Sequence, residues 1–249
     1  MVSVSIIIPT LNEAADLPRT LRLVRQLCPE PVEVWVADGG STDQTLALVR
    51  AAQTDWPNLH LLCCDRLGRA TQMNGAAQRA QGDLLCFLHA DTILPDDALT
   101  VIGQTLACPT VAAGGFISIM RGPTKTRWLT SLHNFLKTYY APLLFRPHLF
   151  FFRGARLLFG DQAIFCRREQ FLAIGGYADD MPIMEEADLL LRLVRYGRVR
   201  QVGRLVESSD RRVAKWGFWK ANAIYLTIGF LWGIGYPPAK LKRWYADVR

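Results

Sequence analysis

The sequence predicts an α/β fold with a mainly parallel central sheet flanked by helices, followed by a helical C-terminal tail. Short apolar runs alternate with segments of helical period through the first half of the chain, which is the order of a parallel sheet with crossover helices. Two of these runs lead to an aspartate, Asp38 and Asp91. The chain has 249 residues, 50% of them hydrophobic, and no low-complexity linker, which suits one large domain and excludes a disordered chain.

The first half of the predicted sheet consists of four apolar strands joined by amphipathic segments. The predicted strands are 4–8, 32–37, 59–63 and 84–88, and the predicted helices are 17–27, 41–49 and 68–80. Continuous apolar runs of this kind are typical of strands that are buried on both faces. Residues 41–44, Ser-Thr-Asp-Gln, have the spacing of a capping box, which places the start of the second helix at Ser41. The N-terminus of that helix is a ready site for an anion.

The strand 84–88 leads to Asp91, with His89 two residues earlier on the same side of the pleat. Open α/β sheets hold their ligands at the carboxyl ends of strands. One carboxylate suits Mg²⁺ or Mn²⁺, because these ions complete their coordination with substrate phosphates and water. The alternative is that Asp91 only caps the helix that follows.

Asp38 and Asp91 follow two strands of one predicted parallel sheet, so they should converge on the same edge. The helix start near Ser41 and the cation Arg69 are expected to face the same crevice. Two acids, an anion-binding helix start and a basic side chain together predict a nucleotide-binding site. The alternative for Asp38 is a simple turn residue.

The second half of the chain alternates helices and strands less regularly. We predict helices over 96–106, 124–140 and 169–174, and strands over 111–119 and 163–166. The strand 111–119 contains the pair Gly114-Gly115, and glycine pairs often mark a close approach of the backbone. The aromatic and basic segment 141–158 has no clear period, so we predict a mobile or substrate-facing loop there.

Three acids, Glu185, Glu186 and Asp188, stand at the start of another predicted helix. Neighbouring helical residues point about 100° apart, so only Glu185 and Asp188 share a face, and we expect both to form a surface ion pair with Arg192. Glu186 shares the apolar face of Leu190 and should point inward. Burial should raise the pKa of its carboxyl group toward the range of a general base.

The net charge of +7 favours an anionic partner, without choosing among nucleotide phosphates, anionic lipid and nucleic acid. We interpret Arg211-Arg212 as a solvated basic face. The six cysteines form no CxxC pair and mostly lie in apolar runs, so we expect buried, reduced thiols of a cytosolic protein. No basic leader precedes the first strand, so nothing indicates secretion.

The segment 221–239 is uncharged and apolar, and lysines flank it on both sides. It is shorter and more polar than the roughly 20 apolar residues of a spanning helix. We expect it to pack on the domain, to form a homodimer contact or to lie on a membrane surface.

Motifs spread over the chain carry a family resemblance. Residues 7–13 (IIPTLNE), residues 37–43 (ADGGSTD), Asp91 at its strand end and Glu185-Glu186, in this order and spacing, resemble the family-2 glycosyltransferases with the GT-A fold. Residues 68–74, 89–91, 160–162 and 175–177 look more closely like a short bacterial subgroup, the radical-SAM/selenodomain-associated transferase 2 proteins. The resemblance spans nearly the whole chain.

The resemblance implies a GT-A (Rossmann-like) domain over 1–210, with a nucleotide-binding half over 1–95 and an acceptor half over 96–210, and a helical extension over 211–249. The nucleotide-binding residues that it implies are Pro9, Thr10, Asn12, Glu13, Asp38, Gly39, Arg69, Asn74 and Ala90. It implies Asp91 as the ligand of Mn²⁺ or Mg²⁺, with His89, a candidate second ligand, replacing the first acid of a DxD-like motif.

The resemblance also implies a catalytic base and an acceptor side. Glu186 is the implied base, where the family has the Asp of a Glu-Asp pair, and Glu185 and Asp188 are the alternatives. Gly115 and Asp161 would border the acceptor, and a turn or cap role is the alternative for Asp161.

The implied activity is the transfer of a sugar from a nucleotide-diphosphate sugar to an acceptor hydroxyl. A cation would neutralise the leaving phosphates, and a carboxylate would take the acceptor's proton. With one base and no obvious nucleophile, we predict direct displacement with inversion. The expected partners are the donor and an acceptor that the sequence does not identify, with no nucleic acid. The expected location is the cytoplasm, with peripheral contact to the inner face of the cell membrane.

Two rival functions remain open at the level of sequence. A nucleotidyltransferase would also place acids and a metal at strand ends, but it usually opens with a Gly-rich basic phosphate loop, and residues 9–13 do not form one. A non-catalytic nucleotide-sugar binder or membrane-attached scaffold is the other alternative, because a histidine replaces the acid expected at position 89.

Overall fold

One mixed sheet of eight strands crosses the structure, a computed structural model that describes residues 3–245. The strands are β1 (Val4–Thr10), β2 (Glu33–Asp38), β3 (Leu59–Cys63), β4 (Leu84–Phe87), β5 (Thr92–Ile93), β6 (Val111–Arg121), β7 (Phe165–Arg167) and β8 (Arg198–Ser209). Their order is β3-β2-β1-β4-β7-β6-β8-β5. The strands β1 to β4 pair in parallel, and β8 is parallel to β6. The strand β7 is antiparallel to β4 and β6, and β5 is antiparallel to β8.

Helices cover both faces of the sheet. They are α1 (Leu17–Val24), α2 (Thr45–Gln53), α3 (Arg69–Arg79), α4 (Ala98–Ala107), α5 (Trp128–Phe145), α6 (Pro147–Arg153), α7 (Arg168–Ala173), α8 (Glu185–Leu193), α9 (Arg211–Trp216), α10 (Phe218–Gly233) and α11 (Pro238–Leu241), with 3-10 turns at Gly160–Gln162 and Lys242–Trp244. Alternate residues of β1 serve the two layers: Ile6 and Ile8 pack with Leu17 of α1, whereas Ile7 packs with Met73 of α3. The α/β prediction and its parallel first half are therefore confirmed.

The start of α2 differs from the prediction of a capping box at Ser41. The helix begins at Thr45, and its N-cap residue makes no side-chain cap hydrogen bond. The Ser41 hydroxyl instead donates to Asp38 Oδ1 at 2.5 Å, and Asp43 Oδ1 accepts from the Thr45 N–H at 2.9 Å. The Ser41 side chain is thus engaged with Asp38 and does not cap a helix, and both side chains stabilise the loop before α2.

The loop predicted over 141–158 is wrong. The helix α5 continues through Pro142 to Phe145, and α6 follows at once. Aromatic residues obscured the helical period, because several of them face outward. Two strands were not predicted: β5 is very short, and the many arginines of β8 conceal its apolar alternation.

The expectation of mostly buried cysteines is also wrong in part. All six cysteines are free, but only Cys86 and Cys166 are buried, whereas Cys28, Cys63 and Cys108 are exposed. Cys63 and Cys108 lie at the ends of β3 and α4, and Cys28 lies in the loop after α1, where apolar neighbours in sequence do not imply burial.

The C-terminal segment packs on the domain through one side of α10. The rings of Phe145 and Phe230 lie 5.8 Å apart between centroids, and Asn222 Nδ2 donates to Thr130 Oγ1 at 3.4 Å. The helices α5 and α10 are therefore neighbours. None of the helices described is long and apolar enough to cross a bilayer.

Candidate active site

A cavity of about 730 Å³ lies at the carboxyl ends of β1 and β4. The predicted site residues that line it are Pro9, Thr10, Glu13, Arg69, His89, Ala90, Asp91, Asp161, Glu185 and Glu186. The starts of α3 and α8 and the inner sides of α5, α9 and α10 complete its wall. Parallel strands deliver their carboxyl ends to one edge of the sheet, so residues far apart in sequence meet here.

Asn12 and Asp38 fasten the loops at the edge of the cavity and do not line it. The backbone of Asn12 is left-handed (φ 56°), and its Oδ1 accepts from the Thr42 N–H at 2.8 Å. The carboxylate of Asp38 accepts from the Ser41 N–H at 2.8 Å and from the Thr10 hydroxyl at 3.1 Å. The structure thus gives both side chains a loop-holding role, and their contact with the nucleoside stays a prediction.

Other predicted residues outside the cavity wall are Gly39, Asn74, Gly115 and Asp188. The amide of Asn74 donates to the carbonyl oxygen of Tyr177 at 2.8 Å and fastens α3 to the turn after α7. A Cβ on Gly115 would lie 3.0 Å from a carbonyl oxygen of the facing 3-10 turn, so the close approach of β6 favours glycine there. Asp188 forms the expected ion pair with Arg192, at 2.7 Å.

Arg211 lies among three carboxylates at the Asp91 end of the cavity. Its Nη2 donates to Asp91 Oδ2 at 2.8 Å, and its Nη1 lies 3.0 Å from Glu13 Oε2 and 3.2 Å from Asp16 Oδ2. Burial alone would lower the pKa of Arg211, but Asp91 and Glu13 outweigh it and raise that pKa. Burial also raises the pKa of Glu13, against the opposing charge of Arg211. The interpretation of Arg211-Arg212 as a solvated face is wrong, because both side chains line the cavity.

Glu185 and Glu186 enter the cavity from the first turn of α8 and are both buried. Arg69 Nη1 lies 3.2 Å from Glu186 Oε1 and 3.6 Å from Glu185 Oε1. Burial and then the charge of Glu185 raise the pKa of Glu186 above 4.5, with Arg69 opposing. The surface ion pair expected for Glu185 is wrong, because the first turn of α8 projects into the cavity and meets Arg69 there.

His89 and Glu186 approach each other around Gly160. A Cβ on Gly160 would collide with His89 Nε2 and would lie 2.7 Å from Glu186 Oε1. Burial lowers the pKa of His89 to about 4. The imidazole is therefore neutral at physiological pH, and the missing side chain at position 160 leaves room for both groups.

Polar residues of α5 form the far wall of the cavity. Burial lowers the pKa of Lys137 to about 8, against the charges of Asp161 and Glu186. Lys137 Nζ lies 3.5 Å from the centre of the Phe159 ring. Asn134 Nδ2 donates to Asp161 Oδ2 at 2.6 Å, and burial raises the pKa of Asp161. This wall can bind hydroxyl groups and anions through donors held in fixed positions.

Residues 5–171 match the family model described as Glycosyl transferase family 2. The chain belongs to this family. The PGL/p-HBAD biosynthesis glycosyltransferase of Mycobacterium bovis is 34% identical to it over 198 residues, which cover 76% of this chain and 68% of that protein. The uncharacterized glycosyltransferase YfnE of Bacillus subtilis is 37% identical over 94 residues, 37% of this chain. The aligned part spans only 24% of YfnE, and 33% of an N-acetylglucosaminyltransferase of Azorhizobium caulinodans that matches 52% of this chain at 27% identity.

Comparison with solved structures shows which fold this chain has. The mannosyltransferase PcManGT from Pyrobaculum calidifontis, in complex with GDP-Man and Mn²⁺, superposes with a TM-score of 0.70 at 22% identity, over 100% of this chain and 66% of that chain. Glucosyl-3-phosphoglycerate synthase from Mycobacterium tuberculosis, in complex with Mn²⁺, UDP and phosphoglyceric acid, superposes with a TM-score of 0.64 at 18% identity, over 95% of this chain and 80% of that chain. The family 2 chain therefore has the GT-A fold.

The cation expected at Asp91 fits the chemistry of this end of the family 2 site. Three carboxylates, those of Asp91, Glu13 and Asp16, meet around the single positive charge of Arg211, so this end of the cavity is rich in the oxygen ligands that a divalent cation prefers. Carboxylate oxygen and neutral imidazole are both ligands that Mn²⁺ accepts. No group of three His, Cys, Asp or Glu side chains in residues 3–245 is arranged to hold a metal ion, so Asp91 and His89 would share the ion with phosphate oxygens.

Sequence reasoning missed several polar residues of the family 2 site. Gln72 Nε2 donates to the carbonyl oxygens of Thr10 (2.6 Å) and Ala37 (2.7 Å) and fixes the cavity floor. Asn134 and Lys137 stand three residues apart on α5 and share a side of the helix with Thr130, which is a detectable signal of one polar face. Arg211 had no signal that distinguished it from the other basic residues around it.

Proposed function

We propose that this chain transfers a glycosyl group from a nucleotide-diphosphate sugar to an acceptor hydroxyl, with inversion at the anomeric carbon. The observation that carries the proposal is a single cavity with two kinds of acid. Glu186 is buried with a raised pKa, which suits a general base. Asp91 lies in the loop after β4, 2.8 Å from the guanidinium of Arg211, which suits a carboxylate that would hold a cation against a diphosphate.

Residues 1–95 form the proposed nucleotide-binding half, in which Pro9 and Thr10 line the cavity at the end of β1. In the proposal, Arg69 at the start of α3 binds the diphosphate, and its position on the cavity wall supports this role. Mn²⁺ or Mg²⁺ at Asp91 and His89 would supply charge neutralisation to the leaving phosphates. The GDP-Man and UDP present in the two related structures support a nucleotide-sugar donor.

Residues 96–210 form the proposed acceptor half, with Asn134, Lys137 and Asp161 on its wall. In the proposed step, Glu186 takes the proton of the acceptor hydroxyl. The acceptor oxygen bonds to the anomeric carbon while the bond from that carbon to the diphosphate oxygen breaks. Attack opposite to the leaving diphosphate inverts the configuration, and Arg69 stays beside both negative groups.

The variant Glu186→Gln tests this role. It should lower kcat by about 100-fold or more, because a positioned general base contributes on that scale, and should leave the Kd for nucleotide unchanged. Transfer from a panel of UDP- and GDP-sugars with Mn²⁺ measures kcat, and titration calorimetry measures Kd.

The control is Glu185→Gln, which removes an equally buried acid beside the same arginine. It should retain the rate within about tenfold. Loss of transfer in Glu185→Gln together with normal transfer in Glu186→Gln would assign the base to Glu185. Wild-type protein that binds no nucleotide diphosphate would overturn the function itself.

A finer proposal concerns the subgroup. Residues 68–74, 89–91 and 160–162 support membership of the radical-SAM/selenodomain-associated transferase 2 group. The non-catalytic alternative has His89 in its favour, and nucleotide binding without any transfer by the wild-type protein would select it.

A further inference from the structure

The helix α5 is polar inside and apolar outside, the reverse of an ordinary surface helix. Its buried face carries Thr130, Ser131, Asn134 and Thr138. Its exposed large side chains are Trp128, Leu129, Leu132, Leu136, Leu143 and Leu144. At about 100° per residue, all of these except Leu144 fall within one continuous stripe. Trp128 is 67% exposed, so no part of the chain that the structure describes covers this stripe.

The neighbouring helix α10 has the same arrangement. Tyr225, Ile228 and Gly229 line the cavity. Its exposed large apolar side chains, together with one just past its end, are Trp219, Leu226, Phe230 and Ile234, which share the opposite face. Trp219 is 83% exposed. Between the two helices in sequence, α6 adds Phe151 and Phe152, of which Phe152 is 84% exposed. Clusters of exposed apolar side chains, unlike single scattered ones, mark interaction surfaces.

We propose that these outer faces of α5, α6 and α10, which we call the α5–α10 surface, dock the protein on a membrane that contains anionic lipid. Helices with an apolar face and basic flanks lie in the plane of a bilayer interface, with their apolar side chains among the upper acyl chains. Exposed tryptophans such as Trp128 and Trp219 suit that depth, because indole rings favour the region of the lipid headgroups.

The positive charge near the α5–α10 surface favours an anionic membrane over a second copy of the chain as its partner. Residues 98–160 and 211–245 contain no Asp or Glu. Exposed cations lie on or next to α5, α6 and α10 in the chain, at Lys125, Arg153, Lys215, Lys220, Lys240 and Arg243. Anionic headgroups attract such a rim. A two-fold dimer through the same surface would bring two basic rims together without an acid from these segments to pair with either.

The position of the surface would bring the acceptor site close to the membrane, a statement that rests on the proposed function. The inner faces of α5 and α10 line the cavity, so a bilayer at their outer faces would lie about one helix diameter, roughly 10 Å, from the site. Docking itself is independent of catalysis, and it can be measured on protein that transfers nothing.

Vesicle flotation of the whole protein tests the proposal. Vesicles of phosphatidylcholine with about 30% phosphatidylglycerol should bind the protein, and pure phosphatidylcholine or about 0.5 M salt should weaken binding several-fold. The triple variant Trp128→Ser, Phe152→Ser, Trp219→Ser should bind at least about tenfold more weakly, because it removes three aromatic side chains from the interface. Vesicles with brominated acyl chains should quench the tryptophan fluorescence of the wild-type protein.

The matched control is Val32→Ser, Leu172→Ser, Tyr196→Ser, which removes three exposed apolar side chains from outside the α5–α10 surface. It should bind the anionic vesicles as the wild-type protein does. Absence of wild-type binding, or equal loss in both triple variants, would overturn the proposal. A dimer in light scattering that the first variant dissociates would assign the surface to a second copy instead. Unchanged nucleotide binding in the first variant separates failure of docking from failure of the proposed function.

Discussion

Arg69 and Arg211 each stand between carboxylates of the cavity, Arg69 between Glu185 and Glu186, and Arg211 beside Asp91 and Glu13. Like charges that share a poorly hydrated space repel strongly unless a cation separates them. The two arginines therefore offset the repulsion between these neighbouring acids. At the Asp91 end, a divalent ion and the Arg211 guanidinium would compete for the same oxygens.

The variant Arg211→Ala should be less stable and more responsive to metal. Removal of the guanidinium leaves three carboxylates without their counter-charge, which should lower the free energy of unfolding by about 1–3 kcal/mol. Added Mn²⁺ should then raise the Tm of the variant more than the Tm of the wild-type protein, because the ion no longer competes with an arginine. Thermal unfolding with and without Mn²⁺ measures both effects.

The control for that variant is Arg204→Ala, which breaks an exposed ion pair with Asp97 of equal length, 2.8 Å. Its stability and its response to Mn²⁺ should match those of the wild-type protein, because exposed pairs contribute little. Equal increments of Tm in Arg211→Ala and wild type would show that Arg211 and the metal do not share a position.

The residues that sequence reasoning placed in the cavity are those fixed by an element's end. Asp91 follows a strand, Arg69 begins α3 and Glu186 lies in the first turn of α8, so local pattern and the rule of converging strand ends placed these three correctly. The same rule failed for Asp38, which also ends a strand but holds a loop beside the cavity. Lys137 and Arg211 lie on helices whose orientation depends on tertiary packing. Local pattern can show that α5 has a polar face but not what that face meets, so the sequence did not identify them as site residues.

At the scale of elements, the 3-10 turn Gly160–Gln162 brings the acceptor wall against the base. The variant Gly160→Ala should reduce transfer strongly, because its methyl group would collide with His89 and press on Glu186. The protein should still fold and bind nucleotide, because Pro9, Thr10 and Arg69 keep their places. Steady-state transfer and nucleotide titration on the same preparation measure the two effects.

The matched control is Gly103→Ala in α4, where an added Cβ meets no atom within 4 Å. That change should leave transfer intact and should stabilise the helix slightly, because alanine favours helix by about 1 kcal/mol over glycine. Normal transfer by Gly160→Ala would contradict the close fit of His89 and Glu186 around position 160.

The element predictions succeeded where the hydrophobic side of an element faces the core. The prediction ended α5 at residue 140 and placed a loop where α6 lies. It missed these helical segments because both expose apolar side chains, such as Phe152 of α6. A prediction from hydrophobic periodicity assumes that the apolar face of an element is buried, so it fails where that face is exposed. The strand β8 was missed for a related reason, since its exposed positions are mostly arginine and mask the inward Val199, Val202 and Val206.

At the scale of the whole molecule, the parallel half of the sheet was predictable and the mixed half was not. Alternating strands and helices with right-handed crossovers admit few arrangements for β1 to β4. The insertion of β7 between β4 and β6 depends on pairing between segments far apart in the chain. Neither the length nor the composition of β7 indicates that it pairs with β4 and β6.

Glu33 links three parts of the parallel half far from the cavity. Its Oε1 accepts from the Ser5 hydroxyl at 2.6 Å and from the Gln81 N–H at 2.5 Å, and its Oε2 accepts from Trp35 Nε1 at 2.8 Å. Burial alone would raise the pKa of Glu33, but the hydrogen bonds from Ser5, Gln81 and Trp35 outweigh it and lower that pKa below 4.5.

The lowered pKa of Glu33 fixes the sign of a pH dependence. A carboxyl group that is more acidic in the folded state stabilises the fold above its ordinary pKa of 4.5, and that contribution disappears as the pH falls through the lower folded value. Glu33→Gln should therefore lower the free energy of unfolding by about 1.5–3 kcal/mol at neutral pH, the range for hydrogen bonds to a charged group, and by progressively less in acid below 4.5. Urea unfolding at neutral pH and in acid measures this difference, with the exposed Glu30→Gln as the control that should show no difference at either pH. A stability gap for Glu33→Gln that stayed constant into acid would mean that the shape of the side chain, and not its charge, holds β1, β2 and the start of β4 together.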